Sequence, residues 1–324
     1  MNKKPEDLTP FRGEMEMKET DSFEFDVSRF KDDDRFVIKT LKKEPNSKLD
    51  EEVKDLPLID YIKERYLKGY KLLKQYLGEA VPNSRFVIGQ SETSAEPQLY
   101  LVQDRVVGLN IDELIKEEMT VAGIRQNSNA NIHSSMHSLR ASLVEAFKYN
   151  DLEGGLEYRG LDKCQRIFDM LRQLDDIMFN SFKMWEETLN SDEVLSLGLS
   201  ADQEIRRKKQ GEGLFPEVTN YQNLIYGKTH KDDKPKLYLI DNGLILVSKS
   251  FMTENTSGAF GFNQALWSVC LPLRELRLGL QGNQNDFFDR YNISDQEKEE
   301  RLKMLESRSG DYYDQLIKKY SSDR

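Results

Sequence analysis

The sequence of 324 residues is poor in cysteine, proline and long apolar runs, and it carries no excess of positive charge. Its only two cysteines, Cys164 and Cys270, leave no basis for a disulfide framework or a cysteine-rich metal site. No stretch approaches the roughly 20 apolar residues that span a bilayer, so we expect no contact with a membrane. The formal net charge of -10 argues against a nucleic-acid partner, because general nucleic-acid binders displace counterions with a basic face.

The chain does contain enough apolar material for a folded core. Hydrophobic residues make up 38% of it and charged residues 32%, with 16 Phe and 14 Tyr. The first ten residues are charged and lack an apolar centre, so we expect no signal peptide and a cytoplasmic location. The densest cationic run, Arg206-Arg207-Lys208-Lys209, is expected to be a solvated surface segment, with a phosphate or membrane contact as the alternative.

Patterns along the chain divide it into four parts. Residues 1–22 form a polar tail, and 23–107 form a strand-rich small lobe. Residues 108–290 form a larger helical lobe with extra material around 111–214. Residues 291–324 end the chain in a charged helix.

Short periodic runs predict the elements within these parts. In the first third they predict strands over 23–27, 35–41, 84–88 and 98–107 and a helix over 56–77 that ends at Gly78. The polar residues 89–97 are interpreted as a hairpin connection. Further along, the patterns predict helices over 136–147, 161–185 and 295–320 and strands over 223–226, 236–240 and 244–247. Residues 191–213 are polar and are expected to be irregular.

Three short segments carry the residue types that nucleotide chemistry needs. Lys39 ends a β-branched run, Asn223 follows a polar loop that contains Glu217, and Asp241 is followed by Asn242-Gly243. A strand-borne lysine supplies a fixed positive charge to a polyanionic triphosphate. A carboxylate and an amide can hold the Mg²⁺ that neutralises the phosphates.

In this order, the segments resemble the protein-kinase signature set. Val37-Ile38-Lys39 resembles the end of the V-A-I-K strand, and Asn223-Leu224-Ile225 resembles the metal-binding asparagine of the catalytic loop. Asp241-Asn242-Gly243 resembles D-F-G with Asn in place of Phe, and 99–108 resembles the last small-lobe strand and the hinge. The resemblance implies an α+β, two-lobed protein-kinase-like fold, with a small antiparallel-sheet lobe and a larger helical lobe.

The resemblance also implies ATP and Mg²⁺ as cofactors and assigns roles to individual residues. Lys39 holds the phosphates, Asn223 and Asp241 bind the metal, and Glu217 holds the hydroxyl group of the acceptor substrate. The other residues assigned to the nucleotide site are Gln103, Asp104, Val106 and Glu64. Glu64 is the expected partner of Lys39 from the helix over 56–77, and Glu51 and Glu52 compete for that role.

Several positions depart from the kinase pattern. Gly13 is the only glycine before Lys39, so no G-x-G-x-x-G loop is present. The position five residues before Asn223, where a kinase has its catalytic Asp, is Val218, and Glu217 lies one residue earlier.

Three functions therefore stay open. The first is phosphotransfer to a protein or small-molecule hydroxyl. The second is a nucleotide-binding or inactive pseudokinase that serves as a scaffold for a protein partner, which the departures favour. The third is an interaction protein of unrelated α+β fold, in which Asp241-Asn242-Gly243 is only a hairpin turn.

Overall fold

The computed structural model is mixed α and β, with runs of short strands between helices and with small antiparallel sheets. The structure describes residues 8–9, 33–41, 67–91, 94–121, 150–152, 155–157, 165–191, 207–208, 211–218, 221–253, 271–274, 277 and 294–321.

The elements follow one another in chain order. The strands are β1 (Leu8–Thr9), β2 (Phe36–Leu41), β3 (Ser84–Ser91), β4 (Ser94–Asp104), β5 (Val107–Asn110), β6 (Asn150–Leu152), β7 (Gly155–Glu157), β8 (Glu212–Pro216), β9 (Leu224–Lys228), β10 (Lys236–Leu239) and β11 (Leu244–Ser248). The helices are α1 (Lys68–Leu77), α2 (Ile111–Val121), α3 (Gln165–Asn190), α4 (Lys249–Thr253), α5 (Asp295–Met304) and α6 (Arg308–Ser321). Short 3₁₀ turns cover Gly78–Ala80 and Tyr221–Asn223.

The chain forms two compact units, and it passes between them more than once. The first unit comprises residues 1–108, 191–210 and 227–244. The second comprises 109–190, 211–226 and 245–324. Strands β5, β9 and β11 each contain a boundary between the units.

The first unit is built on a four-stranded sheet in the order β1–β3–β4–β2. Strand β4 pairs antiparallel with β2 on one side and with β3 on the other. Helix α1 buries Leu73 and Leu77 at helical spacing, and it ends at Gly78, whose φ of 55° favours glycine. A second sheet has the order β10–β9–β5.

The second unit is built around the 26-residue helix α3, which packs against β8 and α6. The Phe182 ring contacts those of Phe215 and Tyr313, with centroids 5.6 and 5.3 Å apart. The buried Trp185 donates its indole N–H to the main-chain oxygen of Val247 at 2.7 Å. These contacts combine apolar burial with a satisfied polar atom.

Helix α2 begins at a reciprocal cap. Asn110 Oδ1 accepts from the main-chain N of Glu113 at 2.9 Å, and Glu113 Oε2 accepts from the main-chain N of Asn110 at 3.0 Å. Two main-chain donors that the helix cannot satisfy are thereby paired.

The structure confirms some predicted elements and corrects others. The strand over 35–41 and the helix over 161–185 are confirmed as β2 and α3. The strand over 23–27 and the helix over 136–147 lie outside the described residues, as does the first part of the helix over 56–77.

The hairpin predicted at 89–97 is confirmed, since β3 and β4 pair antiparallel, but the connection is shorter than predicted. Strand β3 extends to Ser91 and β4 begins at Ser94, and the ladder tolerates Pro97 opposite Gln90 beside a register shift. Three other expectations were wrong. Residues 212–216 form strand β8. The terminal helix over 295–320 is two helices, and α6 buries Tyr313 and Leu316. Arg207 is 1% exposed and not a solvated surface residue.

Within the described part of the chain, no helix combines the length and apolar character needed to cross a membrane.

Candidate functional site

Lys39 turns its amino group toward polar atoms of the first unit. Its Nζ donates to the main-chain oxygen of Ile240 at 2.8 Å and to Oε1 of Gln103 at 3.3 Å. Lys39 pairs with Leu101 in the β2–β4 ladder, two residues from Gln103, so the two long side chains meet diagonally on one face. Burial lowers the pKa of Lys39 below its ordinary value, and the charge of Asp241 opposes that shift. Lys39 is therefore a partly desolvated cation whose position depends on two carbonyl oxygens.

Asp241 directly follows Ile240, whose main-chain oxygen accepts the hydrogen bond from Lys39. Its Oδ1 accepts from the main-chain N of Gly243 at 3.1 Å, which closes a turn of the Asx type. The alternative that this segment is a hairpin turn is wrong, because β10 before it pairs with β9 and β11 after it pairs with β8. The first unit thus brings Lys39 and Asp241 together.

Gln103, Ser84 and Asn242 continue the polar contacts away from Lys39. Gln103 Nε2 donates to Ser84 Oγ at 3.1 Å, and Ser84 Oγ donates to the main-chain oxygen of Pro82 at 3.1 Å. Asn242 Nδ2 approaches Ser84 Oγ at 3.5 Å, while Asn242 Oδ1 is buried without a hydrogen-bond partner. Ser84 was not among the residues predicted from the sequence, because a serine at the start of a strand that also contains Arg85 and Gln90 carries no distinctive signal.

Asp104 faces away from this group, because neighbouring residues of a strand point to opposite faces. Its Oδ2 accepts from Asn83 Nδ2 at 2.9 Å and from Lys231 Nζ at 2.8 Å, and the side chain is 4% exposed. Its main-chain N donates to the oxygen of Asn83 at 2.8 Å. Any nucleotide contact made by Asp104 is therefore left to its main-chain oxygen. Val106, the next predicted contact, is half-buried before β5.

A cavity of about 280 Å³ lies beside Asp104 within the first unit. Its wall includes Lys74, Lys231 and Lys236. Lys74 donates to the main-chain oxygen of Val81 at 2.6 Å, Lys231 to Asp104, and Lys236 to Glu79 at 2.5 Å. Each lysine of the wall thus already has an oxygen partner, which is a carboxylate for Lys231 and Lys236 and a main-chain carbonyl for Lys74.

Asn223 and Glu217 belong to the second unit. Asn223 ends the 3₁₀ turn before β9, and its Nδ2 donates to the main-chain oxygen of Glu217 at 3.3 Å. Val218, at the position where a kinase has its catalytic Asp, is 0% exposed. The structure therefore joins Asn223 to the loop that carries Glu217, and it buries the position beside Glu217.

Glu64, the proposed partner of Lys39, lies outside the described residues, and so do its competitors Glu51 and Glu52. Among the residues that are described, no group of three or more His, Cys, Asp or Glu side chains is arranged to hold a metal ion. Mg²⁺ is commonly held by one or two carboxylates and by substrate phosphates, so a single Asp at position 241 fits its requirements.

No protein-family model, no curated protein and no solved structure matches the chain.

Proposed function

We propose that the chain is a nucleotide-binding protein of two-lobed, protein-kinase-like fold that takes ATP with Mg²⁺. The observation that carries the proposal is the placement of Lys39 within the first unit. A strand lysine reaches the residue that immediately precedes Asp241, as a phosphate-binding cation and a metal-binding carboxylate require.

The arrangement of the first unit also supports the proposal. The strand that carries Lys39 pairs antiparallel with β4, whose last residues lead to Asp104 and Val106. A nucleotide held beside this strand would meet a cation from β2 and main-chain groups after β4. Lys39 would orient the phosphates, and Asp241 would hold Mg²⁺, which supplies charge neutralisation when bound.

Phosphotransfer to a hydroxyl group is the activity we propose for this site. The roles of Asn223 as metal ligand and of Glu217 as acceptor-side carboxylate stay predictions from the sequence, since both residues belong to the second unit. Glu217 is half-buried, and its main-chain oxygen accepts from Asn223 Nδ2 at 3.3 Å. A positioned base typically contributes about 10²–10⁴-fold to such a rate.

One observation favours the second candidate, a nucleotide-binding pseudokinase. Val218, at the position of the usual catalytic Asp, has an aliphatic side chain that cannot accept a proton, and it is fully buried. In this alternative the protein binds ATP and presents its surface to a protein partner without turnover.

Calorimetric titration with Mg²⁺·ATP tests the proposal. Lys39→Met and Asp241→Asn should each weaken binding about 10–100-fold, because hydrogen bonds to charged groups contribute about 1.5–3 kcal/mol. Lys71→Met and Asp233→Asn change the same residue types at exposed positions of the first unit and should leave binding unchanged. Absence of binding by the wild type at millimolar Mg²⁺·ATP would refute both nucleotide functions.

Turnover separates the two candidates once binding is established. Release or transfer of the γ-phosphate that falls at least 100-fold in Glu217→Gln, with ATP affinity retained, supports the phosphotransferase. Binding without turnover supports the pseudokinase.

A further inference from the structure

Two buried polar side chains of the first unit, Ser84 and Gln103, connect Lys39 with the turn that carries Asp241. They are direct partners in the β3–β4 ladder and are 4% and 2% exposed. Burying such groups costs free energy unless they are hydrogen-bonded, and both are.

We propose that Ser84 and Gln103 are positioning residues, which fix Lys39 and the Asp241–Gly243 turn relative to each other through one chain of hydrogen bonds. Asn242 connects the turn to this series of hydrogen bonds, through its contact with Ser84. The proposal rests on the nucleotide-binding function given above, because only that function requires the cation and the carboxylate to be set in a defined geometry.

The carboxamide of Gln103 suits this role because it is both donor and acceptor. Its Oε1 receives Lys39 and its Nε2 donates to Ser84. A carboxylate of the same length would keep the acceptor and lose the donor, and a thioether of similar length would lose both.

The hydroxyl of Ser84 is fully used by the same chain. Its single proton goes to the main-chain oxygen of Pro82, and its lone pairs face Gln103 Nε2 and Asn242 Nδ2. A hydroxyl engaged on three sides holds its neighbours in one arrangement, so removal of Ser84 Oγ frees the Asn242 amide and one end of Gln103 together.

A second link reinforces the chain at its other end. Lys39 also donates to Ile240, the residue directly before Asp241. The turn is therefore held from both sides, at Ile240 through Lys39 and at Asn242 through Ser84.

Hydrogen exchange measured by mass spectrometry tests the positioning without any nucleotide. Ser84→Ala should raise exchange in peptides that cover 240–244 about tenfold, as expected for the loss of one buried hydrogen bond. Peptides that cover 36–41 and 99–104 should keep their protection, because the β2–β4 ladder is intact. Unchanged exchange at 240–244, or an equal rise across the ladder, would overturn the proposal.

Affinity for Mg²⁺·ATP gives the second readout. Ser84→Ala and Gln103→Met should each weaken binding about tenfold. Ser84→Thr keeps the hydroxyl and should restore affinity to within threefold. Gln103→Glu keeps the acceptor for Lys39 and should lose less than Gln103→Met. Gln75→Met, on the exposed face of α1, is the matched control and should bind as the wild type does.

The two readouts separate the possible failures. If the wild type binds no Mg²⁺·ATP, the proposed function falls, and exchange at 240–244 alone decides whether Ser84 orders the turn. If nucleotide binds but Ser84→Ala and Gln103→Met bind as tightly as the wild type, the positioning role is refuted and the proposed function stands.

Discussion

Replacing Asp175 by alanine is expected to destabilise the packing of the C-terminal helix α6 in the second unit more than a substitution of a nearby exposed residue would. Asp175 lies on α3 and is 7% exposed. Its Oδ1 accepts from the hydroxyls of Ser307 and Ser309 at 2.6 Å each, and its Oδ2 accepts from the main-chain N of Arg308 at 2.9 Å. One carboxylate thus serves the first turn of α6 from a neighbouring helix.

The expected cost follows from these contacts. Loss of a helix N-terminal acceptor costs about 1 kcal/mol, and a buried hydrogen bond to a charged group contributes about 1.5–3 kcal/mol. The contacts share one carboxylate and are not additive, so we expect Asp175→Ala to lower the free energy of unfolding by about 3 kcal/mol. Asp175→Asn retains one carbonyl oxygen and should lose about half as much.

Asp176 provides a control of the same residue type at the next position. Its ion pair with Arg308 spans 3.6 Å between side chains that are 66% and 61% exposed. Exposed pairs of this kind contribute about 0–1 kcal/mol, so Asp176→Ala should be nearly neutral.

Urea unfolding followed by circular dichroism would give the free energies for these variants. Trypsin cleavage after the exposed Lys318 would report release of α6. Equal stability of the Asp175→Ala and Asp176→Ala variants would refute the conclusion that the Asp175 carboxylate stabilises the start of α6.

Two further predictions concern packing and pH. Gly213→Ala should lower the free energy of unfolding by more than about 3 kcal/mol, because a Cβ there would overlap the main-chain oxygen of Trp185 and lie 2.8 Å from its Cδ1. Gly78→Ala should lower it by about 1 kcal/mol, since the space around Gly78 is open and only its φ of 55° would be strained. Equal urea midpoints of the two variants would contradict this. Burial opposes ionisation of Asp232, but hydrogen bonds from Thr229 and Tyr238 outweigh it and hold its pKa below the ordinary 3.8. The stability contributed by the ionised Asp232 is therefore present above about pH 4 and is lost as pH falls through the lowered pKa. Asp232→Asn should flatten the dependence of the unfolding free energy on pH between about 4 and 2. An unchanged slope would disprove this contribution.

Local patterns predicted the elements whose sequence periodicity agrees with their burial. Helix α3 was expected from its apolar spacing, and the spacing matches the face that it buries. Helix α2 was not predicted, although Asn110 and Glu113 stand at the separation of a capping pair. That signal is local, and it was available before the structure.

Other features depend on strand pairing and helix capping, which apolar periodicity does not encode. Residues 89–91 and 94–97 of the polar run belong to strands because β3 and β4 continue their ladder over them, and the ladder supplies main-chain hydrogen bonds that compensate for weak local preference. The terminal helix divides at Ser307 because this residue caps α6, with its Oγ accepting from the main-chain N of Gly310 at 2.9 Å.

The candidate site shows the same division. Lys39 and Asp241 could be selected from the sequence, since each belongs to a recognisable short segment. Ser84 could not be connected with them, because its relation to Gln103 arises from strand register and its relation to Asn242 from the path of the chain after β10.

The contacts of Asn242 suggest a physical reason why an asparagine stands where the kinase pattern has a phenylalanine. An aromatic side chain at this position would bring an apolar ring to the buried hydroxyl of Ser84, whose lone pair now faces an amide. Polar residues at positions 84, 103 and 242 therefore form a consistent set in which each gives another a partner. The buried Oδ1 of Asn242, which has no hydrogen-bond partner, is the remaining cost of this arrangement. The proposed positioning of the Asp241 turn would account for a polar set that retains such a cost, because an apolar set of similar volume would avoid it.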